Sequence, residues 1–308
     1  MGQIDPILLL ASLMVASTPI LFAAIGELIA ERAGVLNLGV EGMMIIGAAA
    51  GFIAAYTTGN PWLGFFMAAV VGAALSMIFA VLTQLLLSNQ VATGLALTLF
   101  GLGFASLLGQ AYVGKSAPSF PDWHIPGLSE IPVVGPILFK HDPMVYVSLL
   151  LVIAVWFFLN RTRAGLILRA VGESHDSAHA LGYKVVRVRM LAIAFGGACA
   201  GLGGAYLSLV RVPNWTEGIT AGAGWIALAI VVFASWRPGR VLAGAYLFGG
   251  VAVLQLNLQA AGIAIPVEIL SMSPYVITIV VLVIISSDRR RAAASAPASL
   301  GRVFHASS

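Results

Sequence analysis

Apolar residues in this chain come in long blocks separated by short polar joints, without the two-residue alternation of an outer-membrane barrel strand. Nine blocks stand out: 7–28, 35–56, 62–87, 91–113, 144–159, 190–210, 219–236, 241–259 and 269–287. A helical crossing of the hydrocarbon core needs about 20 apolar residues. Between Glu41 and Lys115 no Asp, Glu, Lys, Arg or His occurs for 73 residues, room for three crossings. Turn chemistry at Thr57-Thr58-Gly59-Asn60-Pro61 and Ser88-Asn89-Gln90 divides that stretch. Lipid offers backbone groups no water partner, so every block is predicted as a helix. The expected fold is all-α: a polytopic membrane protein with about nine transmembrane helices.

Composition agrees with this pattern. The 308 residues are 60% apolar and 9% charged, with mean hydropathy +0.99, whereas soluble domains carry about 25% charged residues. Most of the surface must face lipid. Residues 1–5 hold no basic residue, so the first block is read as a retained span rather than a cleaved signal. Cys199 is the single cysteine, which excludes an internal disulfide.

The net charge of +4 says less than its distribution. If the loop 160–189 is cytoplasmic, 13 of the 16 Lys and Arg residues lie inside, leaving Lys115, Lys140 and Arg211 outside. The positive-inside rule therefore predicts an outside N-terminus and a cytoplasmic C-terminus. Residues 1–290 read as one transmembrane domain, and 291–308, rich in Ala and Ser, as a disordered cytoplasmic tail. The outer loop 114–142 contains five prolines, which block a long helix. In the inner loop, 173–181 lacks Pro and Gly and is predicted to form a short surface helix ended by Gly182.

Candidate chemistry is sparse. Residues 109–116, Gly109-Gln110-Ala111-Tyr112-Val113-Gly114-Lys115-Ser116, match the pattern of a phosphate-binding loop. That motif works only between a strand and a helix N-terminus, and here it follows a membrane helix on the outer side. No ATP hydrolysis, cofactor or metal is expected in this chain. No H-E-x-x-H pair or G-x-S-x-G elbow occurs, and His124, His141, His175, His179 and His305 all fall in loops or the tail. Glu27 and Glu41 are the acids within predicted spans, few for a proton-coupled carrier. Amides and hydroxyls within or beside the spans, Asn37, Gln84, Gln90, Thr93, Thr98, Gln255 and Asn257, suit a neutral hydroxylated solute or bonds between helices. Asn37, Glu41, Gln90, Thr93 and Asn257 are taken as candidate path residues. Asn37 and Glu41 would share a helix face, although the glycine-bearing run 34–42 can break the helix. Small-residue pentads at 47–51, 197–201 and 218–222 are read as close helix packing.

The stretch Glu31-Arg32-Ala33-Gly34-Val35-Leu36-Asn37-Leu38-Gly39-Val40-Glu41-Gly42-Met43-Met44 resembles the opening signature of the permease subunits of bacterial ABC importers for simple sugars, nucleosides and branched-chain amino acids, and is most similar to the nucleoside and simple-sugar branch. Asn89 to Leu97 resembles that family's fourth-span entrance. Arg163-Ala164-Gly165, Arg169 to Glu173, Ala180-Leu181-Gly182 and Val185 to Arg189 resemble its cytoplasmic coupling loop. Gly222 to Pro238 and Ser273-Pro274-Tyr275 resemble its last spans, so the likeness covers roughly 20–290 in order. Ser174-His175-Asp176-Ser177-Ala178 departs from the family's Asn-Pro, basic residue and two alanines.

The resemblance implies a type II importer-like bundle. It implies a separate ABC ATPase subunit that binds ATP and Mg, a second related permease chain forming a heterodimer, and a lipoprotein that delivers solute from outside. Arg169, Glu173, Asp176, Ala178, Leu181, Gly182 and Arg187 would form the ATPase coupling loop. Membrane lipid is the other partner, and no nucleic acid is expected. A secondary carrier or channel working without an ATPase is the alternative.

Overall fold

The computed structural model describes residues 6–121, 123–124, 129–132, 134–260, 266–286 and 296–305. Most of the described residues are helical. Helix α1 (Pro6–Arg32) is followed by α2 (Val40–Thr58), α3 (Pro61–Ala80, extended by a π turn Val81–Leu85) and α4 (Gln90–Gly109). The stretch after α4 holds a two-stranded antiparallel ribbon of β1 (Trp123–His124) and β2 (Lys140–His141), with a short α5 (Val134–Leu138) between them. Then come α6 (Pro143–Arg161), α7 (Arg163–Glu173), α8 (His175–Ala180) and α9 (Val185–Tyr206, extended by a π turn Leu207–Arg211). The chain ends in α10 (Ala223–Phe233), α11 (Pro238–Ala260) and α12 (Val267–Ser286).

Local chemistry sets the joints. Asn60 Oδ1 accepts the Trp62 amide at 3.0 Å, with Pro61 in the first turn of α3. Asn89 caps α4 through Ala92 N at 3.0 Å. Asp142 caps α6 through Met144 N at 2.9 Å and Val145 N at 3.2 Å. Thr162 caps α7 through Gly165 N at 3.0 Å, and Ser174 caps α8 through Ser177 N at 3.3 Å.

Helix α9 is the axis of the bundle, packed on α1, α2 and α3. Lipid gives apolar side chains no reason to leave it for one another, so close backbone approach does the work. Gly47 of α2 lies on Gly201 of α9, Gly72 of α3 on Gly197 and Gly201, and Gly26 of α1 on Gly196 and Cys199. An added methyl at any of them would run into a facing residue's backbone or Cβ. The pentads at 47–51 and 197–201 are thus interior packing surfaces. The third, 218–222, is a turn, with Gly218 and Gly222 at positive φ and open space around them.

Nine crossings were expected; among the described residues seven helices are long and apolar enough to cross a membrane: α1, α2, α3, α4, α6, α9 and α11. The block 219–236 is not one full-length helix. Its helix, α10, has 11 residues and rises about 16 Å, half the hydrocarbon thickness. Residues 217–222 before it are turns, and Ser235 and Trp236 after it sit at positive φ (52° and 54°). The loop expected over 160–189 is shorter, because α6 runs to Arg161 and α9 begins at Val185. The helix expected over 173–181 is two: Glu173 ends α7, Ser174 is extended, and α8 covers His175–Ala180 before Gly182 (φ 86°). The extended N-cap geometry of Ser174 forces that break. Residues 296–305, expected to be disordered, pack back on this loop. The remainder of the 291–308 tail lies outside the described residues.

Candidate functional site

Two regions concentrate the polar chemistry: the link between α1 and α2, and the end of the bundle that carries α7 and α8.

After Arg32 the chain turns at Gly34 (φ 85°) and residues 35–39 run back along the last turns of α1 without helix. An extended segment inside a membrane bundle must find partners for its backbone elsewhere. Side chains supply them. Leu36 N donates to Gln90 Oε1 at 2.8 Å and Asn37 N to Glu27 Oε1 at 3.3 Å. Thr98 Oγ1 donates to Leu38 O at 3.0 Å. Gly39 N donates to Asn37 Oδ1 at 2.9 Å, and Asn37 Nδ2 to Met43 Sδ at 3.4 Å. Asn37 is therefore not helical, and it does not share a helix face with Glu41.

Glu41, in the first turn of α2, reaches across to α10. Its Oε1 accepts Thr220 Oγ1 at 2.6 Å and Gly222 N at 2.9 Å, and its Oε2 accepts Gly224 N at 2.7 Å. The first N–H groups of any helix lack intrahelical partners and carry the positive end of its dipole. Glu41 satisfies two of them at the start of α10, Gly222 N and Gly224 N, and Gly224 leaves space for that approach, since a Cβ there would lie 2.6 Å from Glu41 Cα. The other end of α10 is tied to α1. Trp236 Nε1 donates to Glu31 Oε2, and the Arg32 guanidinium donates to Trp236 O at 2.9 and 3.1 Å.

Four of the five candidate path residues thus gather around residues 35–41. Asn37 and Gln90 bond the segment itself, Glu41 follows it with its bonds directed to residues 220–224, and Thr93 stands one turn into α4 with its hydroxyl 2.9 Å from Ser88 Oγ. Among the described residues, Gln90 Nε2, Glu27 Oε2 and Glu31 Oε1 are buried without a protein partner. Asn257 is apart: it donates to Val253 O of its own helix at 2.9 Å. Sequence reasoning placed Glu31 outside the first span; α1 continues to Arg32, which buries it completely.

At the other site, α7 and α8 lie against the α1–α2 link. Gly172 packs so tightly on Arg32 O that no side chain fits. Arg189, counted from sequence as a loop charge, is fully buried. It donates to Ala33 O at 3.2 Å, to Arg302 O at 3.0 Å and to His175 Nδ1 at 3.2 Å. An arginine can only donate, so the His175 proton sits on Nε2, 3.5 Å from Asp176 Oδ1. Burial and the Arg189 charge hold the His175 imidazole below its ordinary value of 6.5. Of the expected coupling residues, Ala178 faces inward and is 2% exposed, whereas Leu181 is 77% exposed. Glu173, Asp176, Gly182 and Arg187 are also exposed, and Arg169 is half-buried.

Lys115 stands at the opposite end. Its Nζ lies 5.0 Å from the Tyr56 ring centre and 4.8 Å from that of Tyr112, a cation–π position. Gly109 packs against the Trp215 indole. A 470 Å³ cleft between α1, α6, α7 and α9 is lined by apolar side chains such as Phe158, Leu168 and Phe195, and offers a hydroxylated solute no partner.

Residues 9–285 match a family model described as branched-chain amino acid transport system / permease component. A putative glucose ABC transporter permease protein of Haloferax volcanii is 47% identical over 83% of this chain and 79% of its own length. A nucleoside ABC transporter permease protein of Lactococcus lactis is 33% identical, covering 89% and 90%. A guanosine ABC transporter permease protein of Bacillus subtilis is 34% identical, covering 90% and 91%. No solved structure matches the chain.

Proposed function

The chain belongs to the branched-chain amino acid transport system permease family, and we propose that it is the membrane subunit of an ATP-driven importer carrying a nucleoside or simple sugar inward. The observation that carries this reading is the Glu41 junction. One carboxylate, in the first turn of α2 directly after the irregular segment 34–39, ties that turn to the N-terminus of a half-length helix. The same segment touches α7 at Gly172. Irregular backbone at membrane depth is tolerated where it lines a path or is buried in protein, and broken helices are the common building block of such paths. Movement imposed on α7 and α8 from the cytoplasm therefore has a short mechanical route to the centre of the bundle.

In this reading the ATPase is a separate subunit that binds ATP and Mg and docks on α8 and Leu181. A second, related permease chain completes the path, and an extracytoplasmic lipoprotein delivers the solute. The loop 162–184 and the C-terminus are cytoplasmic, supported by the asymmetry of 13 basic residues against three. Neutral hydrogen-bonding side chains near the link, Gln90 and Thr93, suit a hydroxylated solute.

The test is reconstitution. The chain is purified with its ATPase and second permease, placed in liposomes with binding protein outside, and assayed for labelled nucleoside or glucose. Uptake should require ATP inside. Equal flux through the permease chains alone, without ATPase or nucleotide, would identify a carrier or channel instead.

A further inference from the structure

We propose that residues 296–305 are a clasp that seats the coupling helix α8, making the C-terminal tail a working part of the coupling machinery. The proposal rests on reading 162–184 as the coupling loop.

Helix α8 has six residues, too few to hold a helix unaided. Its inward residue Ala178 packs in a small cluster with Val171 of α7, Val185 of α9 and Phe304 of the tail. Phe304 is the largest of the four and 6% exposed. Its ring meets both histidines of α8 edge-on, with centroids 5.4 Å from His175 and 5.3 Å from His179. Removing Phe304 therefore takes the bulkiest buried member of the cluster away from α8.

Backbone bonds fix the rest of the tail on both sides of the loop. Ser299 N donates to Gly172 O at 2.9 Å, and its hydroxyl donates to Glu173 O at 3.3 Å and accepts His175 N at 3.4 Å. These contacts brace the break between α7 and α8 at Ser174. Gly301 N donates to Gly34 O at 3.2 Å. Arg189 donates to Arg302 O and also to Ala33 O. The same ten residues therefore grip α8 and the α1–α2 link, the two elements whose relative motion coupling requires. A tail that merely followed the last helix would have no reason to satisfy its backbone there.

The test uses the full transporter complex. Two variants, truncation after Ser295 and Phe304→Ala, are compared with Phe304→Leu. The first two should still co-purify with the ATPase and keep basal hydrolysis, but lose solute-stimulated hydrolysis and uptake by about tenfold, the scale set by one buried aromatic side chain. Phe304→Leu should recover most of the stimulation, and a synthetic peptide of residues 296–305 should restore it to the truncated complex. Amide exchange at 175–180 should quicken in Phe304→Ala. Wild-type stimulation in the truncated complex overturns the clasp, as does unchanged exchange at α8 in Phe304→Ala if the truncation fails to assemble. Leu181→Asp separates the two readings. If it abolishes stimulation while the tail variants are silent, only the clasp fails; if it too is silent, the coupling loop fails with it.

Discussion

Glu41→Gln should weaken the protein before it weakens solute binding. The carboxylate accepts three hydrogen bonds at the start of α10, from Thr220 Oγ1, Gly222 N and Gly224 N, and is 4% exposed. Glutamine keeps one acceptor oxygen for the pair at Oε1 but turns an amide NH₂ toward the Gly224 N–H. One bond to a charged acceptor is lost, about 1.5–3 kcal/mol, and a buried donor is left unpaired. Loss of the charge at the helix N-terminus removes up to about 1–2 kcal/mol more. The sum, about 2.5–5 kcal/mol, is a large share of the stability of a typical domain. Glu41→Ala should do worse, because all three donors lose their partner. Thermal unfolding of detergent-purified protein, followed by size-exclusion of a fluorescent fusion, measures the first effect. Transport kinetics measure the second, with maximal uptake expected to fall and KM to change little. A Glu41→Gln protein that melts like wild type yet shows a KM raised tenfold would make Glu41 a solute ligand, and the capping argument would be wrong.

Leu181→Asp should abolish uptake and ATPase stimulation while leaving the permease folded, because Leu181 is exposed and contributes no core contact; Ala178→Asp should instead destabilise the loop, and wild-type stimulation in Leu181→Asp would exclude docking at α8. Acid should loosen the clasp. The His175 value is lowered in the folded state, so its contribution is fully present above pH 6.5 and is lost as pH falls through the lowered value. A proton on Nδ1 would also break the bond from Arg189 and add a charge facing Arg189 and Arg302, with Asp176 the opposing partner. Amide exchange at 296–305 should accelerate below pH 6.5 in the wild type, and the same acceleration in His175→Gln would refute this origin. Ser174→Cys should be labelled only from the cytoplasmic side of intact cells, and external labelling by an impermeant maleimide would reverse the topology.

Much of this protein was legible in its hydrophobic pattern, because a bilayer imposes one rule on every segment: backbone groups must be paired internally and crossings have a set length. That rule alone predicted an all-α bundle and placed α2, α3, α4 and α9 close to where they lie. It also marked Asn60, Asn89 and Gly182 as joints, since capping and left-handed turns depend on adjacent residues. The resemblance at 31–44 pointed to the right region for the polar network. What that network does was decided by tertiary structure. Glu41 was expected as a path residue, and the bundle adds a contact the sequence did not show: it caps a helix that begins 182 residues later in the chain, at Ala223. The block 219–236 is as apolar as a span, yet its helix stops at half-length because residues 217–222 and 235–236 turn. Arg189 read as one more cytoplasmic charge, and it is buried where three carbonyl and imidazole acceptors converge from distant segments. The Ala- and Ser-rich tail carries no periodic signal, so its placement on α8 could not be read locally; it depends on one phenylalanine meeting a pocket formed by α7, α8 and α9. Apolar periodicity reports a segment's solvent, whereas partners far apart in sequence are set only when the bundle closes.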